Sequence, residues 1–304
     1  MEPIVIKNLT KDFGDGKGIF GENLVINKGE MVGFVGTNGS GKTTTIRCLL
    51  GYIKPTNGKC YINGLSSWEH SSEIASHVGY VPGEIGFPDL PTGTAFLKSQ
   101  AEFFGLKDIS FADNLTKRLQ LDPSANLKRM SKGMKQKTAL VAALMNNAEI
   151  LILDEPTTGL DPLMRDAFID IIKEEHKKGK TILMSSHMMS EVEDTCDRVA
   201  FIQDGHLVGE VKMSDIKNRP TKDYKIEFNN ELDYEKFKKL GKYSIIRDQK
   251  EFHQVTINIK NEEVTELFQV LKNYDVKFLS EVKYTLEKYF LDVIKSKKGE
   301  EENV

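Results

Sequence analysis

Short apolar runs alternate with longer amphipathic segments over the first two thirds of this chain. Two of the runs, within EILILD and KTILMSS, are continuous, as strands are when helices cover both faces of a sheet. The pattern therefore predicts an α/β sheet. The predicted strands are Ile4–Leu9, Asn23–Ile26, Val32–Val35, Lys59–Ile62, Val78–Val81, Ile150–Leu153, Thr181–Ser185, Val199–Gln203 and His206–Glu210.

Four segments with helical spacing lie between these strands. Because strands and helices alternate, we expect one α/β core with a helical insertion. The predicted helices cover Thr44–Tyr52, about Thr92–Leu121, about Ser131–Asn146 and Leu163–Lys178.

The composition of the sequence becomes more polar after the last of these strands. A polar stretch with one proline predicts a linker over 214–223, followed by a small α+β domain over 224–296 and a mobile tail over 297–304. We expect the last helix to dock on the sheet of that domain through one apolar face. The residues of this face are Leu286, Tyr289, Phe290, Val293 and Ile294.

The glycine-rich segment Gly36–Thr43, GTNGSGKT, stands between a predicted strand and a predicted helix. It fits the pattern G-x-x-x-x-G-K-[ST], whose main-chain N–H groups surround the phosphates of a nucleoside triphosphate. Glycine permits that approach because no side chain stands in the way, and the helix N-terminus adds partial positive charge. Lys42 would add a full charge at the β and γ phosphates, and Thr43 would ligate Mg²⁺. The alternative is an ordinary strand-to-helix turn.

The segment EILILDEP offers the second half of an ATP site. Asp154 ends a buried strand, at the sheet edge where open α/β sheets bind ligands. Asp154 would hold Mg²⁺ through water, and Glu155 would position or deprotonate the attacking water. A plain acidic turn before Pro156 is the alternative, but the upstream phosphate loop favours the ATP site.

Composition narrows the class of protein. The 304 residues carry a formal net charge of -3, so no global field draws the chain to nucleic acid. The three cysteines show no C-x-x-C spacing, which indicates a reducing compartment and no zinc site. No apolar run approaches the ~20 residues of a membrane helix, and the N-terminus does not resemble a signal peptide. We expect a cytoplasmic protein unless a partner holds it at a membrane.

Several separate motifs follow one another in a recognisable order. MSKGMKQK lies between the two halves of the ATP site, TGLDP contains Asp161, and LMSSH ends at His187. Over about Ile4–Glu210 the sequence resembles the nucleotide-binding subunit of the ATP-binding cassette (ABC) family. The resemblance implies a P-loop cassette over 1–213, with a mixed sheet core and a helical subdomain at about 84–146.

The resemblance also implies roles for these residues. In the family, the signature serine and second glycine touch the γ phosphate of ATP held by the opposite subunit, which points to Ser131 and Gly133. Lys132 stands where the usual first glycine would be. Asp161 resembles the aspartate that crosses the dimer interface, and His187 resembles the histidine that bonds the γ phosphate.

Two further matches are less specific. Phe13, in KDFG, resembles the aromatic residue that stacks on adenine. Gly83 stands where the family has a glutamine that touches Mg²⁺, and Glu84 follows it as a further candidate ligand. The candidate ATP-binding residues are Phe13, Gly36, Thr37, Asn38, Gly39, Ser40, Gly41, Lys42, Thr43 and Thr44.

The resemblance implies that the chain pairs with a second nucleotide-binding subunit, identical or related, around two Mg²⁺-ATP. It would work on the inner face of the cell membrane with a separate permease that docks on the insertion after Glu84. Its single cassette and small C-terminal domain resemble exporters of drugs, antimicrobial peptides, lipids or polysaccharides.

Other classes fit less well. A ribosome-binding ABC protein needs two cassettes, a chromosome-structuring ATPase needs long coiled coils, and a P-loop kinase lacks the signature, Asp161 and His187 series. A regulatory ATP-dependent sensor and an importer ATPase stay open as alternatives.

Overall fold

The chain forms two compact units, Met1–Met213 and Ser214–Val304. The computed structural model describes residues 2–301, with side chains described for residues 2–293. The strands of the first unit are β1 Ile4–Asp12, β2 Gly18–Ile26, β3 Met31–Val35, β4 Asn57–Ile62, β5 Leu65–Ser66, β6 Val78–Val81, β7 Ile150–Asp154, β8 Thr181–Ser186, β9 Arg198–Gln203 and β10 His206–Lys212. Its helices are α1 Lys42–Leu49, α2 Ser71–His77, α3 Gly93–Phe103, α4 Ser110–Arg118, α5 Lys132–Leu144, α6 Pro162–Lys177 and α7 Met189–Thr195.

The strands of this unit form two sheets. The larger has the order β10-β9-β3-β8-β7-β6, in which β6, β7, β8, β3 and β9 run parallel and β10 pairs antiparallel with β9. Every residue of β3, β7 and β8 is buried, as their continuous apolar runs predicted. The smaller sheet is antiparallel, with the order β2-β1-β4-β5. This arrangement confirms the α/β fold with a mixed sheet.

All nine predicted strands are present, with ends shifted by up to five residues, but the helices differ more. The helical stretch predicted over about Thr92–Leu121 consists of two helices, α3 and α4, separated by a turn. The chain turns at Gly105, whose φ of +65° is left-handed, and Leu106 N bonds back to Ala101 O at 2.8 Å. A glycine in this position ends a helix, since the left-handed conformation costs it little. The short helices α2 and α7 were not predicted.

The second unit is a split β-α-β module. It contains α8 Met213–Lys217, which starts at the unit boundary, β11 Thr221–Phe228, α9 Glu231–Lys239, β12 Ser244–Gln249, β13 Gln254–Lys260, α10 Val264–Leu271, β14 Val276–Val282 and α11 Leu286–Glu301. Its antiparallel sheet has the order β12-β13-β11-β14, so the two hairpin strands lie beside the first strand as in ferredoxin-like folds. Apolar residues of β11, β13, α9 and α10 form its core.

One prediction about this region needs correction. The polar stretch 214–223 is not an irregular linker, because α8 covers its start and β11 begins at Thr221. The polar residues from Thr221 onward form a strand because they pair with β13. In the tail 297–304, α11 runs to Glu301 and residues 302–304 lie outside the described residues, so the mobility of the tail stays a prediction. Leu286 and Phe290 are buried as predicted, whereas the side chain of Ile294 lies outside the described part.

Candidate nucleotide-binding site

The segment Gly36–Gly41 connects β3 to α1 and leaves no space for side chains at two of its glycines. A Cβ on Gly36 would lie 2.3 Å from Ile202 O, and one on Gly41 would lie 2.5 Å from Ile19 Cγ2. Gly41 also has a left-handed φ of +118°. Glycine is therefore required here by packing and by backbone conformation.

Lys42 is the first residue of α1, and its side chain folds back over this loop. Its Nζ donates to Gly36 O at 2.8 Å and to Thr37 O at 3.1 Å, and the side chain is buried. The ammonium group is thus fixed beside the N-terminal end of an eight-residue helix, where backbone N–H groups and the helix dipole favour an anion.

The acidic pair ends the buried strand β7. Asp154 is fully buried, and its Oδ1 accepts a hydrogen bond from Ser185 Oγ at 2.6 Å. Its other oxygen, Oδ2, is buried without a hydrogen-bond partner. Glu155 has a left-handed φ of +49°, which is uncommon outside glycine, and its N–H donates to Ser185 Oγ at 3.0 Å. This backbone turn directs the two carboxylates differently.

Glu155 joins two groups that the sequence predicted to act together. Its Oε1 lies 3.3 Å from Lys42 Nζ, and its Oε2 lies 2.6 Å from His187 Nδ1. His187 follows β8, the neighbour of β7, so adjacent parallel strands deliver both side chains to the same sheet edge. The result is a row of three ionisable side chains next to the glycine-rich loop.

The signature residues lie elsewhere, at the start of α5. Ser131 is the N-cap, and its Oγ accepts from Met134 N at 3.2 Å. A Cβ on Gly133 would lie 2.7 Å from Gly159 O, so this glycine packs against the segment that leads to Asp161. Asp161 caps α6 by accepting from Met164 N at 3.0 Å. The side chains of Ser131, Lys132 and Asp161 are exposed, and Ser131 and Asp161 bond to the first turns of their own helices rather than to Lys42 or Glu155.

The two less specific candidates lie on exposed loops. Phe13 is 57 % exposed in the turn between β1 and β2, with Lys11 Nζ 5.3 Å from its ring centre. Glu84 is exposed, and the residue beside the acidic pair is Gly83, whose added Cβ would lie 3.0 Å from Asp154 Oδ2. The roles of Phe13 and Glu84 stay predictions.

Sequence reasoning missed three polar residues around this site. Ser185 bonds both Asp154 and Glu155, and Glu191 is buried on α7. Glu22, in β2, is buried with Thr45 Oγ1 donating to its Oε2 at 2.8 Å, and burial raises its pKa to about 8. The period of two along β2 contained this signal, because Glu22 is in phase with the buried Leu24.

A glycine-rich loop before a helix, with an acidic pair at the carboxyl edge of a mostly parallel sheet, defines a P-loop nucleotide-binding protein. The family model described as ABC transporter matches residues 20–158. The bacitracin transport ATP-binding protein BcrA of Bacillus licheniformis is 37% identical over 221 residues, which cover 71% of each chain. This chain belongs to the ABC transporter family and is an ATP-binding subunit of it.

Two further comparisons extend this result. The uncharacterized ABC transporter ATP-binding protein YcbN of Bacillus subtilis is 30% identical over 301 residues, 94% of this chain and 95% of that protein. A bacterial ABC transporter cassette, solved as a dimer, is 25% identical with a TM-score of 0.62 and covers 69% of this chain and 98% of its own. The same cassette has been solved in a post-hydrolysis state bound to ADP and Pi. Cassettes of this family bind and hydrolyse ATP and form dimers.

No helix in the described part of the chain combines the length and the apolar character needed to cross a membrane.

Proposed function

We propose that this chain hydrolyses Mg²⁺-ATP at the interface of two cassettes and so drives export through a separate membrane permease. The observation that carries the proposal is the row Lys42, Glu155 and His187, joined at 3.3 Å and 2.6 Å beside the glycine-rich loop. A cation for the phosphates and a carboxylate for the attacking water are groups that such hydrolysis uses, and the family resemblance assigns the histidine to the γ phosphate.

Each residue of the row has a distinct part in this mechanism. Lys42 balances the charge of the β and γ phosphates, held at the loop by its bonds to Gly36 O and Thr37 O. Glu155 orients the attacking water and accepts its proton. His187 is held by Glu155 through Nδ1, which leaves its other ring nitrogen to face the γ phosphate.

The donor set near the loop suits magnesium. Asp154 Oδ2 is buried without a hydrogen bond, and leaving such an oxygen unpaired is costly unless a ligand supplies the partner. Asp154, through water, and the Thr43 hydroxyl would hold the ion, with Glu84 as a further candidate ligand. Magnesium bound there would neutralise negative charge on the β and γ phosphates.

The second cassette supplies the remaining groups. Ser131, Lys132 and Asp161 are exposed, and the helix that starts after Ser131 presents N–H groups to an anion. In the closed dimer, Ser131 and Gly133 of one copy would bind the γ phosphate held by Lys42 of the other. Hydrolysis would remove the charge that joins the copies, and the dimer would open.

A groove in the first unit is the proposed docking place of the permease. Aromatic and small apolar residues of the helical insertion and of α5 line a cavity of about 230 Å³. Phe103 stands at this cavity with 63 % of its surface exposed, whereas Phe87 and Phe96 are half-buried and pack edge to face. A permease segment seated here would hold the subunit on the inner face of the membrane.

Export is supported by the likeness to a bacitracin transport subunit. The first test is Mg²⁺-dependent ATP hydrolysis by the full chain with its permease in proteoliposomes, with ATP-driven solute movement measured in both directions. Outward movement is the expected result. Inward movement would make the chain an importer subunit, and ATP binding without stimulated hydrolysis would make it a sensor.

The docking place is tested by copurification of the permease. Phe103→Glu is expected to abolish copurification, because a charge would be buried in an apolar groove. Phe252→Glu is the matched control, since Phe252 is 58 % exposed but lies in the second unit. Equal copurification of both variants with the permease would place the docking surface elsewhere.

A further inference from the structure

Glu191 is a buried carboxylate outside the row of Lys42, Glu155 and His187. It lies in the first turn of α7, and its side chain is 4% exposed. Its Oε2 accepts hydrogen bonds from Thr157 Oγ1 and from Ser186 Oγ, each at 2.9 Å. Its Oε1 lies 3.3 Å from Arg165 Nε. A single carboxylate therefore contacts three separate segments of the chain.

Two of these segments carry the proposed catalytic residues. Thr157 is two residues after Glu155, and Ser186 is the residue before His187. Both hydroxyl groups are buried, so they exchange no hydrogen bonds with bulk water. Because one oxygen accepts from both hydroxyl groups, it links the segment that follows Glu155 to the segment that precedes His187, and these two residues are themselves hydrogen-bonded.

The third segment connects this point to the predicted dimer interface. Arg165 lies on α6, one turn after the N-cap Asp161, and its guanidinium compensates the buried charge of Glu191. A buried carboxylate is tolerated when it is both paired and hydrogen-bonded, as it is here.

We propose that Glu191 is a positioning residue for ATP hydrolysis. Its carboxylate holds the segment after Glu155 and the segment before His187 in the register that lets the two side chains meet. The inference rests on the proposed function, because the two side chains it aligns are those assigned to water and to the γ phosphate. Glu191 itself touches neither nucleotide nor water in this role.

The alternative is that Glu191 only stabilises α7. A carboxylate in the first turn favours the helix dipole, and its loss would then lower stability without a specific effect on turnover. The two roles are separable because Glu191→Gln keeps an oxygen that can accept from both hydroxyls, although it removes the charge. Glu191→Leu removes both.

The experiment compares these variants in the full chain with its permease. Glu191→Leu is expected to lower kcat roughly 10- to 100-fold, since a small misplacement of reacting groups has effects of that size, with KM for ATP changed less than about threefold. Glu191→Gln should recover most of the lost kcat. Asp194→Asn is the matched control, an exposed carboxylate on the same helix, and should behave as wild type.

A second measurement does not depend on hydrolysis. The ring ¹⁵N signals of His187, assigned with His187→Ala, report its bond to Glu155. They should move in Glu191→Leu and in Glu155→Gln, and stay in place in Asp194→Asn. Normal kcat in Glu191→Leu, or equal loss of kcat in Glu191→Leu and Glu191→Gln, overturns the inference.

Failure of the proposed function would look different. If wild type binds ATP but never hydrolyses it, the proposed function fails, and the His187 signals alone decide whether Glu191 positions the pair. Unmoved His187 signals in Glu191→Leu then overturn the inference.

Discussion

The two units of this chain bury polar groups in different ways. In the first unit, nine buried side-chain atoms lack a hydrogen bond, whereas in the described part of the second unit the Tyr243 hydroxyl alone does. Five of the nine take part in ion pairs, and the other four have neither an ion pair nor a hydrogen bond: Glu22 Oε1, Ser40 Oγ, Ser67 Oγ and Asp154 Oδ2. Asp154 ends β7 and Ser40 belongs to the glycine-rich loop, where a bound ligand could supply the missing hydrogen bonds.

One buried acid from each unit makes the difference concrete. Glu22 has Thr45 as its hydrogen-bond partner, and burial raises its pKa to about 8, so it is mostly uncharged at neutral pH. Burial also pushes the pKa of Asp223 upward, but hydrogen bonds from Asn258 and Lys288 outweigh burial and hold that pKa below its usual value. In the second unit, the buried carboxylate of Asp223 is stabilised by hydrogen bonds. The first unit keeps buried polar atoms without hydrogen bonds, some of them beside the proposed site of ATP hydrolysis.

The largest expected effect on ATP hydrolysis comes from the row Lys42, Glu155 and His187. Glu155→Gln should slow hydrolysis roughly 10²- to 10⁴-fold, because it removes the base while leaving the shape of the site. ATP affinity should stay close to wild type, since the loop is unchanged and Lys42 keeps its hydrogen bonds to Gly36 O and Thr37 O. Single-turnover phosphate release measures the effect, and Glu149→Gln, at the exposed opposite end of β7, is the control. Hydrolysis at the wild-type rate would refute the role of Glu155.

The next effect sharpens the contrast between the buried acids. In the folded protein the pKa of Glu22 is raised above its ordinary value of 4.5 to about 8. Its favourable contribution to the free energy of unfolding is therefore complete below about pH 4.5 and is lost as the pH rises to about 8. At pH 7 the free energy of unfolding is lower by about 3 kcal/mol than it would be with Glu22 fully protonated in both states. Glu22→Gln should therefore be more stable than wild type by an amount that grows over this window.

Denaturant unfolding at several pH values measures that difference. Asp223→Asn is the control from the second unit. Its carboxylate has a lowered pKa and is charged throughout pH 5 to 8, so the variant should be less stable than wild type by a nearly constant amount. A difference between wild type and Glu22→Gln that does not change with pH would mean that Glu22 is ionised in the folded protein.

A smaller effect, on the stability of the first unit, is expected where Gly133 packs against the backbone of Gly159. Gly133→Ala should destabilise the first unit by roughly 1–3 kcal/mol, because its Cβ would lie 2.7 Å from Gly159 O. Gly86→Ala is the matched control, since an added Cβ there meets nothing within 4 Å. Thermal unfolding of both variants measures the effect, and equal midpoints would show that α5 shifts freely.

The smallest effect is expected on the surface of the second unit. Lys242→Ala breaks an exposed ion pair with Glu266. Exposed ion pairs contribute little, because water and salt screen them and their side chains lose entropy in pairing. Neither the unfolding midpoint nor ATP hydrolysis should change measurably. A lowered rate of hydrolysis would mean that the second unit takes part in the chemistry of the first.

Local pattern was sufficient for much of the first unit. The candidate site residues follow the ends of strands whose apolar runs could be found from sequence; they are the glycines of the loop, Lys42, the acidic pair and His187. The structure brings Lys42, Glu155 and His187 together. The helical stretch that the sequence predicted is interrupted at Gly105, whose backbone is left-handed. A glycine permits this conformation but does not require it, so the sequence alone did not predict the break.

By itself, the sequence determined where the strands of the first unit lie, the glycine-rich loop between β3 and α1, and the residue types at the sheet edge, because these depend on neighbours along the chain. Only the tertiary structure decided that Glu22 is a buried acid, that Ser185 binds both residues of the acidic pair, and that Glu191 joins Thr157 to Ser186. The physical reason is distance along the chain. Each of these contacts joins different segments and depends on how strands and helices pack, which local periodicity does not specify.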